Sequence, residues 1–395
     1  MTSKKGKVGI ITLHGYSNYG NRLQNYALQE KIKEIGFDVD TLVFTKRPGS
    51  GVNESNIERT KRIISLSPGE IKERIFAKAK GRYKKWINYL NRESIEERIK
   101  MFKEFSSEYL SERFLSDDPE QLQNIADEYD FFVTGSDQVW NPNFIKNQEQ
   151  IYFLSFVAPP KRMAYAASFG IDSLPTPFSE RIRPWLTEME AVSVRERSGA
   201  KLVKDLTGRD VSVLLDPTLL LSRDEWLRVA REARSKPKEK YLLSYFLGEK
   251  NKKAQSFLEI VAKKKRYKVV RLSDFSEKTA FRTGPREFID YVNSAEAVFT
   301  DSFHGVIFSI LMEKPFVACR RLGGSSMFSR IETLLKMLGM ESREEDNLKD
   351  YGDLVTVDFS KIYNPLKEER TKARQFLRES LNSISFRKNN KDLEW

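Results

Sequence analysis

Residues 7–44 alone fix the class of fold this chain can adopt. Lys7–Leu13 (KVGIITL) is a short β-branched run, Gly15–Asn21 (GYSNYGN) a turn, and Arg22–Ile35 carries apolar residues at helical spacing, with Gly36 as its stop. Val39–Phe44 reads as a second strand. Strand, turn, helix, strand is a βαβ unit, which demands a parallel sheet with helices on its faces. The alternation returns at Asp130–Gly135, Arg162–Ala166, Ala191–Arg195 and Val211–Leu215. After the polar stretch 222–239 a second series begins at Tyr241–Phe246. It continues through a helix at 251–265, strand Lys268–Leu272, helix Pro285–Asn293, strand Ala297–Thr300, helix Gly305–Met312 and strand Phe316–Cys319. The chain has 395 residues, long for one core and comfortable for two. The expected architecture is therefore α/β: two doubly wound domains facing each other across a cleft. The expected boundaries are 1–221, 222–345 and a C-terminal segment 346–395 with a closing helix near Lys367–Leu381.

Residues 56–110 depart from this rhythm and read as amphipathic helices inserted into the first domain. Between Glu58 and Glu104 there are 14 Lys/Arg against 7 Asp/Glu, a large part of the formal net charge of +12. Such a basic surface suits solvated charge, an anionic substrate or the anionic inner face of a membrane. No zinc-finger spacing, RRM signature or helix-turn-helix pattern supports a nucleic-acid partner. One cysteine excludes an internal disulfide, and two histidines with one cysteine cannot build a three- or four-ligand zinc site. The apolar runs are too short to span a membrane, so the expected location is the cytoplasm. GxxxxGK[ST], GxGxxG, HExxH and GxSxG are all absent.

Chemistry concentrates where strands end. Thr300–Ser309 (TDSFHGVIFS) brings Ser302, His304 and Gly305 to a helix start, whose free N–H groups favour an anion and beside which an imidazole can move protons. Asn18, Tyr19 and Asn21 lie in the first turn, where Gly20 permits close approach and Asn21 can cap the helix; hydrogen bonding to sugar hydroxyls and plain turn chemistry fit them equally. In Thr134–Pro142 (TGSDQVWNP), Asp137 is a candidate base or a helix cap, while Gln138 and Trp140 suit a sugar's polar edge and apolar face. Arg195 closes the strand AVSVR, placed to grip a carboxylate or phosphate or to pair with Glu196 or Glu225. Gly323–Arg330 (GGSSMFSR) is a glycine–serine turn carrying another arginine ahead of helix Ile331–Leu338. Asp216-Pro217-Thr218 reads as a boundary turn with a structural role.

Taken in order, NYGNRLQNYALQ, TGSDQVWNP, YAASFG, VSVRERSGA, DPTLLL, YFLG, TDSFHGVIFS and GGSSMFSRIETLL resemble the polysaccharide pyruvyl transferase family from residue 8 to about 340. The resemblance implies two Rossmann-like domains arranged as in GT-B enzymes, and phosphoenolpyruvate as donor substrate with no cofactor. The acceptor would be a saccharide of a capsule, exopolysaccharide or cell-wall polymer, whether or not lipid-linked, which becomes a pyruvate ketal. Arg195 matches the family's donor-contacting arginine, and His304 the histidine of its Arg-Leu-His-Gly motif. Ser302 and Phe303 stand where that motif has Arg and Leu, and Arg330, or Arg320/Arg321, is the expected replacement for the lost charge. On this basis His304 and Asp137 are the expected catalytic pair. Arg195, Ser302, Gly305 and Arg330 would bind the donor; Asn18, Tyr19, Asn21, Gln138 and Trp140 would bind the acceptor. Two rival readings are a glycosyltransferase of the same architecture using a nucleotide-sugar, and a non-catalytic binding protein.

Overall fold

The computed structural model describes residues 5–45, 81–82, 85–145, 147–249, 252–321, 325–348 and 350–391. Much of the predicted basic insert, including Ile63, Ile64, Ile71, Ile75 and Phe76, lies outside them, as do Gly323 and Gly324.

Among the described residues, seven strands form one parallel sheet: β1 (Lys7–Ile11), β2 (Asp38–Thr45), β3 (Glu112–Ser116), β4 (Phe131–Asp137), β5 (Arg162–Ala167), β6 (Ala191–Val194) and β7 (Ser212–Val213). Their spatial order is β3-β2-β1-β4-β5-β6-β7. Four more, β8 (Tyr241–Tyr245), β9 (Lys268–Arg271), β10 (Ala297–Thr300) and β11 (Phe316–Ala318), form a second parallel sheet in the order β11-β10-β8-β9. The central strands read as continuous apolar runs because helices cover both faces. The longer helices are α1 (Tyr19–Ile35), α2 (Arg92–Tyr109), α3 (Pro119–Glu128), α4 (Thr176–Glu188), α5 (Arg197–Thr207), α6 (Lys252–Lys265), α7 (Pro285–Ser294), α8 (Phe303–Leu311), α9 (Ser325–Leu338) and α10 (Tyr363–Lys391). None of the described helices is long and apolar enough to cross a membrane.

Each sheet reverses its winding once, between β1 and β4 in the first and between β8 and β10 in the second. At such a reversal the flanking connections run to opposite faces and leave a crevice beyond the strand ends, where open α/β sheets bind ligands. The chain folds so that these two crevices meet. Tyr19, at the start of α1, stacks between Phe102 of α2 and Phe288 of α7, with ring centroids 5.4 and 4.6 Å away. Its hydroxyl lies 3.1 Å from Thr283 Oγ1. Arg98 of α2 donates to that hydroxyl, to Phe281 O and to Ser17 O. One apolar cluster, including Tyr19, Trp226, Phe288, Phe308 and Leu377, runs through both halves. Helix α10 returns to the first half, where Arg370 and Arg374 donate to the carbonyls of Leu219–Leu221.

Candidate active site

The β10–α8 corner places His304. Thr300 Oγ1 accepts from Ser302 N, and Ser302 Oγ accepts from Gly305 N, so the serine caps α8. The capping bond uses the oxygen only as an acceptor, so the Ser302 O–H keeps its capacity to donate. Gly305 is required by packing: a Cβ there would collide with the Thr300 side chain. Asp301 accepts from Leu247 N, Gly248 N and Arg321 Nε, binding the turn after β8 to the end of β10 across the reversal.

His304 projects out of this corner onto the first half. A Cβ at Gly20 would overlap Nδ1, Cγ and Cε1 of its imidazole. Gly20 thus admits a histidine from the opposite sheet, where a ligand had been expected. On the imidazole's other side, Nε2 lies 3.6 Å from Asp216 Oδ2, an ion-pair separation longer than a hydrogen bond. That same Oδ2 accepts from Arg195 Nη1 at 2.6 Å and from Ser136 Oγ at 3.1 Å. Oδ1 accepts from Thr218 N and Oγ1. Asp216 therefore joins the site as well as holding its turn, which adds to the structural role read from DPTLLL.

Arg195 also donates from Nη2 to Asp137 Oδ1 at 3.2 Å, and Asp137 Oδ2 accepts from Asn21 Nδ2 at 2.6 Å. Neither Glu196 nor Glu225 is its hydrogen-bonded partner: Glu225 pairs with Lys31, while Glu196 Oε1 accepts from Ser168 Oγ and from the N–H groups of Phe169 and Gly170. Asp137 ends β4 with φ 71°, a left-handed conformation that turns its carboxylate into the crevice. The ring of Phe303 carries two guanidiniums, Arg195 at 4.4 Å and Arg330 at 5.8 Å. Arg320 instead pairs with Glu332 and Glu344, and Arg321 with Asp301, so Arg330 is the arginine that reaches the centre.

The side chains of Asp137, Arg195, Glu196, Asp216, His304 and Arg330 are all buried, which makes their charges interact strongly. Burial would raise the carboxyl groups of Asp137 and Asp216, but the positive neighbours prevail and hold both below the usual range. Those neighbours are Arg195, His304 and Arg330 for Asp137, and His304 and Arg195 for Asp216. Burial raises Glu196 above it in spite of Arg195 and Arg330. Burial, with the charge of Arg195 nearby, pushes Arg330 down to about 10. A buried cation disfavoured in this way gains from an incoming anion.

The remaining expected residues are scaffolding or neighbours. Asn18, and not Asn21, caps α1, its Oδ1 accepting from Gly20 N. Tyr19 is 0 % exposed within the stack described above, which leaves no surface for an acceptor. Trp140 is likewise 0 % exposed, stacked 5.1 Å from Phe153 and donating to Tyr152 O, so it offers no face to a sugar. Gln138 Oε1 accepts from Asn141 Nδ2, and its side chain packs against Gly170. Gln24 locks β1 to β4, donating to Thr12 Oγ1 and accepting from Ser136 N. Sequence reasoning gave Asp216 only a structural role and Glu196 only that of a partner for Arg195.

The sequence profile of the polysaccharide pyruvyl transferase family matches residues 18–321, which contain every residue of this cluster except Arg330. The chain belongs to that family. The family makes it a transferase in polysaccharide modification. No curated protein matches the sequence. Among solved structures it is similar to the UDP-GlcNAc 2-epimerase of Neisseria meningitidis bound to UDP-GlcNAc, with 9% identity, 95% of this chain and 100% of that chain covered, and a TM-score of 0.47. It is also similar to the ADP-heptose LPS heptosyltransferase II of E. coli, with 11% identity, coverages of 97% and 99%, and a TM-score of 0.34. A third similar structure is an alpha-glucosyltransferase in complex with UDP, with 9% identity, coverages of 99% and 100%, and a TM-score of 0.42.

Proposed function

We propose that the protein transfers the pyruvyl group of phosphoenolpyruvate to two hydroxyls of a saccharide, forming a pyruvate ketal and releasing phosphate. The observation that carries this reading is the convergence of Arg195 and Arg330 on Phe303, with His304 as the next residue and Asp216 3.6 Å from its Nε2. A compact, multiply negative donor needs two guanidiniums in a site from which water is nearly excluded.

In this mechanism the donor's carboxylate and phosphate lie against Arg195 and Arg330. A proton adds to the methylene carbon, leaving C2 as an oxocarbenium-like centre. One sugar hydroxyl attacks C2 and gives up its proton. Phosphate then departs with its bonding electron pair, and a second hydroxyl closes the ketal, releasing the second proton. One proton taken up and two released balance when phosphate leaves protonated. His304 is the group that donates and accepts at this centre. Asp216 is a positioning residue, orienting the imidazole and stabilising its charged form, as a carboxylate does for a catalytic histidine. Asp137, held ionised by Arg195 and fixed by Asn21, is suited to positioning an acceptor hydroxyl, its lowered proton affinity making it a weak base. The acceptor enters from the first half, and the basic segment 58–104 brings the protein to anionic membrane when that acceptor is lipid-linked.

The test is phosphate release from phosphoenolpyruvate in the presence of saccharides. Release that needs both substrates and falls about 10²–10⁴-fold in His304→Gln is the expected result. No donor binding and no release across a broad saccharide panel would contradict it.

A further inference from the structure

We infer that the carboxyl end of β1 carries a saccharide subsite built on His14, Tyr16 and Phe114, which holds a sugar residue neighbouring the one modified at His304. The inference rests on the acceptor being a saccharide. His14 follows β1, and its imidazole stands edge-on to two aromatic rings, Tyr16 at 4.9 Å and 82° and Phe114 at 5.6 Å and 84°. Its Nε2 is turned inward, 3.5 Å from Glu112 Oε1. Glu112 is in turn bonded by Arg22, a fully buried guanidinium of α1 that also donates to Leu13 O at 3.2 Å. A buried ion pair thus fixes the imidazole from behind while its side chain stays 21 % exposed. Burial would raise the Glu112 carboxyl, but His14 and Arg22 hold it below the usual range, so the imidazole faces an anion.

Phe114 presents the apolar half of the subsite. It lies in β3, the edge strand of the first sheet, and is 56 % exposed. The Lys103 ammonium stands 5.7 Å over the Tyr16 ring, adding a cation at the rim. An open aromatic face beside a fixed imidazole and a lysine is recognition chemistry for a sugar: the ring's C–H face covers Phe114, and its hydroxyls or an acidic substituent meet His14 and Lys103. The loop that carries His14 runs directly to Gly20, against which His304 rests. Six extended residues span at most about 20 Å, so the two histidines lie within reach of one short oligosaccharide.

The wild-type protein, Phe114→Ala and His14→Gln are applied to an array of bacterial surface oligosaccharides, and phosphoenolpyruvate-induced thermal stabilisation is measured on the same three proteins. Wild type retains a set of glycans. Both variants bind that set about tenfold more weakly, the scale of one lost aromatic or imidazole contact, while donor stabilisation is the same in all three. If His14→Gln does not fold, Phe114→Ala decides alone, because its side chain is more than half exposed. Equal glycan binding by wild type and Phe114→Ala, or no glycan retained by wild type, overturns the subsite. Absence of donor stabilisation in wild type with intact, Phe114-dependent glycan binding would instead overturn the pyruvyl reading and leave the subsite standing.

Discussion

Asp137, Arg195, Glu196, Asp216, His304 and Arg330 share a space nearly closed to water, and their charges must balance there. Arg195 is bonded to two of the carboxylates, so its removal takes the hydrogen-bonded cation from both. Arg195→Met is expected to cost about 3–5 kcal/mol of unfolding free energy. Arg330 stands differently: burial and Arg195 already disfavour its charge. Arg330→Met should cost less than Arg195→Met yet abolish donor binding. Denaturant unfolding and donor-induced thermal shifts on both variants check the contrast, and equal destabilisation would refute it. Glu196 gives a pH signature. Its folded proton affinity exceeds the unfolded one, so its contribution is fully present below the ordinary glutamate range and is lost as pH rises through the folded value. Glu196→Gln should therefore gain on wild type as pH rises from about 4, by about 1.4 kcal/mol for each tenfold change in proton affinity, and then level off. Unfolding curves between pH 4 and 8 test this; a constant gap across that range would contradict it. His304, Arg195 and Asp137 were legible as candidates because charge at a strand end is conspicuous, and Arg330 because it follows a glycine–serine turn. Asp216 was hidden by its proline, which makes it read as turn chemistry, and Trp140 misled because its amide-rich neighbours masked an indole that belongs to the core.

At the scale of elements, the decisive contact is α1 against α8, where Gly20 receives the His304 ring. Gly20→Ala should favour α1 by intrinsic propensity, about 1 kcal/mol, while driving the imidazole from Asp216. The expected outcome is a fall of at least about tenfold in phosphate release, with the donor still bound through Arg195 and Arg330. Unchanged turnover would show that the imidazole need not sit there. Most elements were visible in the sequence for a physical reason: strands covered on both faces are unbroken apolar runs, and glycine or proline marks the helix ends. β3 was missed because Glu112–Ser116 (ERFLS) is a short edge strand with charge in its first two positions. β7 proved shorter than Val211–Leu215, and α8 begins at Phe303, before the glycine that seemed to open it. What no periodicity reveals is which strand ends meet across two sheets, and that pairing assembles the site.

For the whole molecule, the two sheets place their winding reversals face to face, and the stack around Tyr19 and Arg98 holds them in register. Because the charged cluster is buried, the proposed donor would reach it only if the two halves parted, and closure around it would restore the low dielectric that strengthens every charge interaction inside. The most direct measurement is a crystal structure of the protein soaked with phosphoenolpyruvate. The anion is expected beside the Phe303 ring, bridged by Arg195 and Arg330, with the His304 imidazole within hydrogen-bonding distance. An anion bound away from both arginines, or crystals that stay empty at saturating donor, would contradict it.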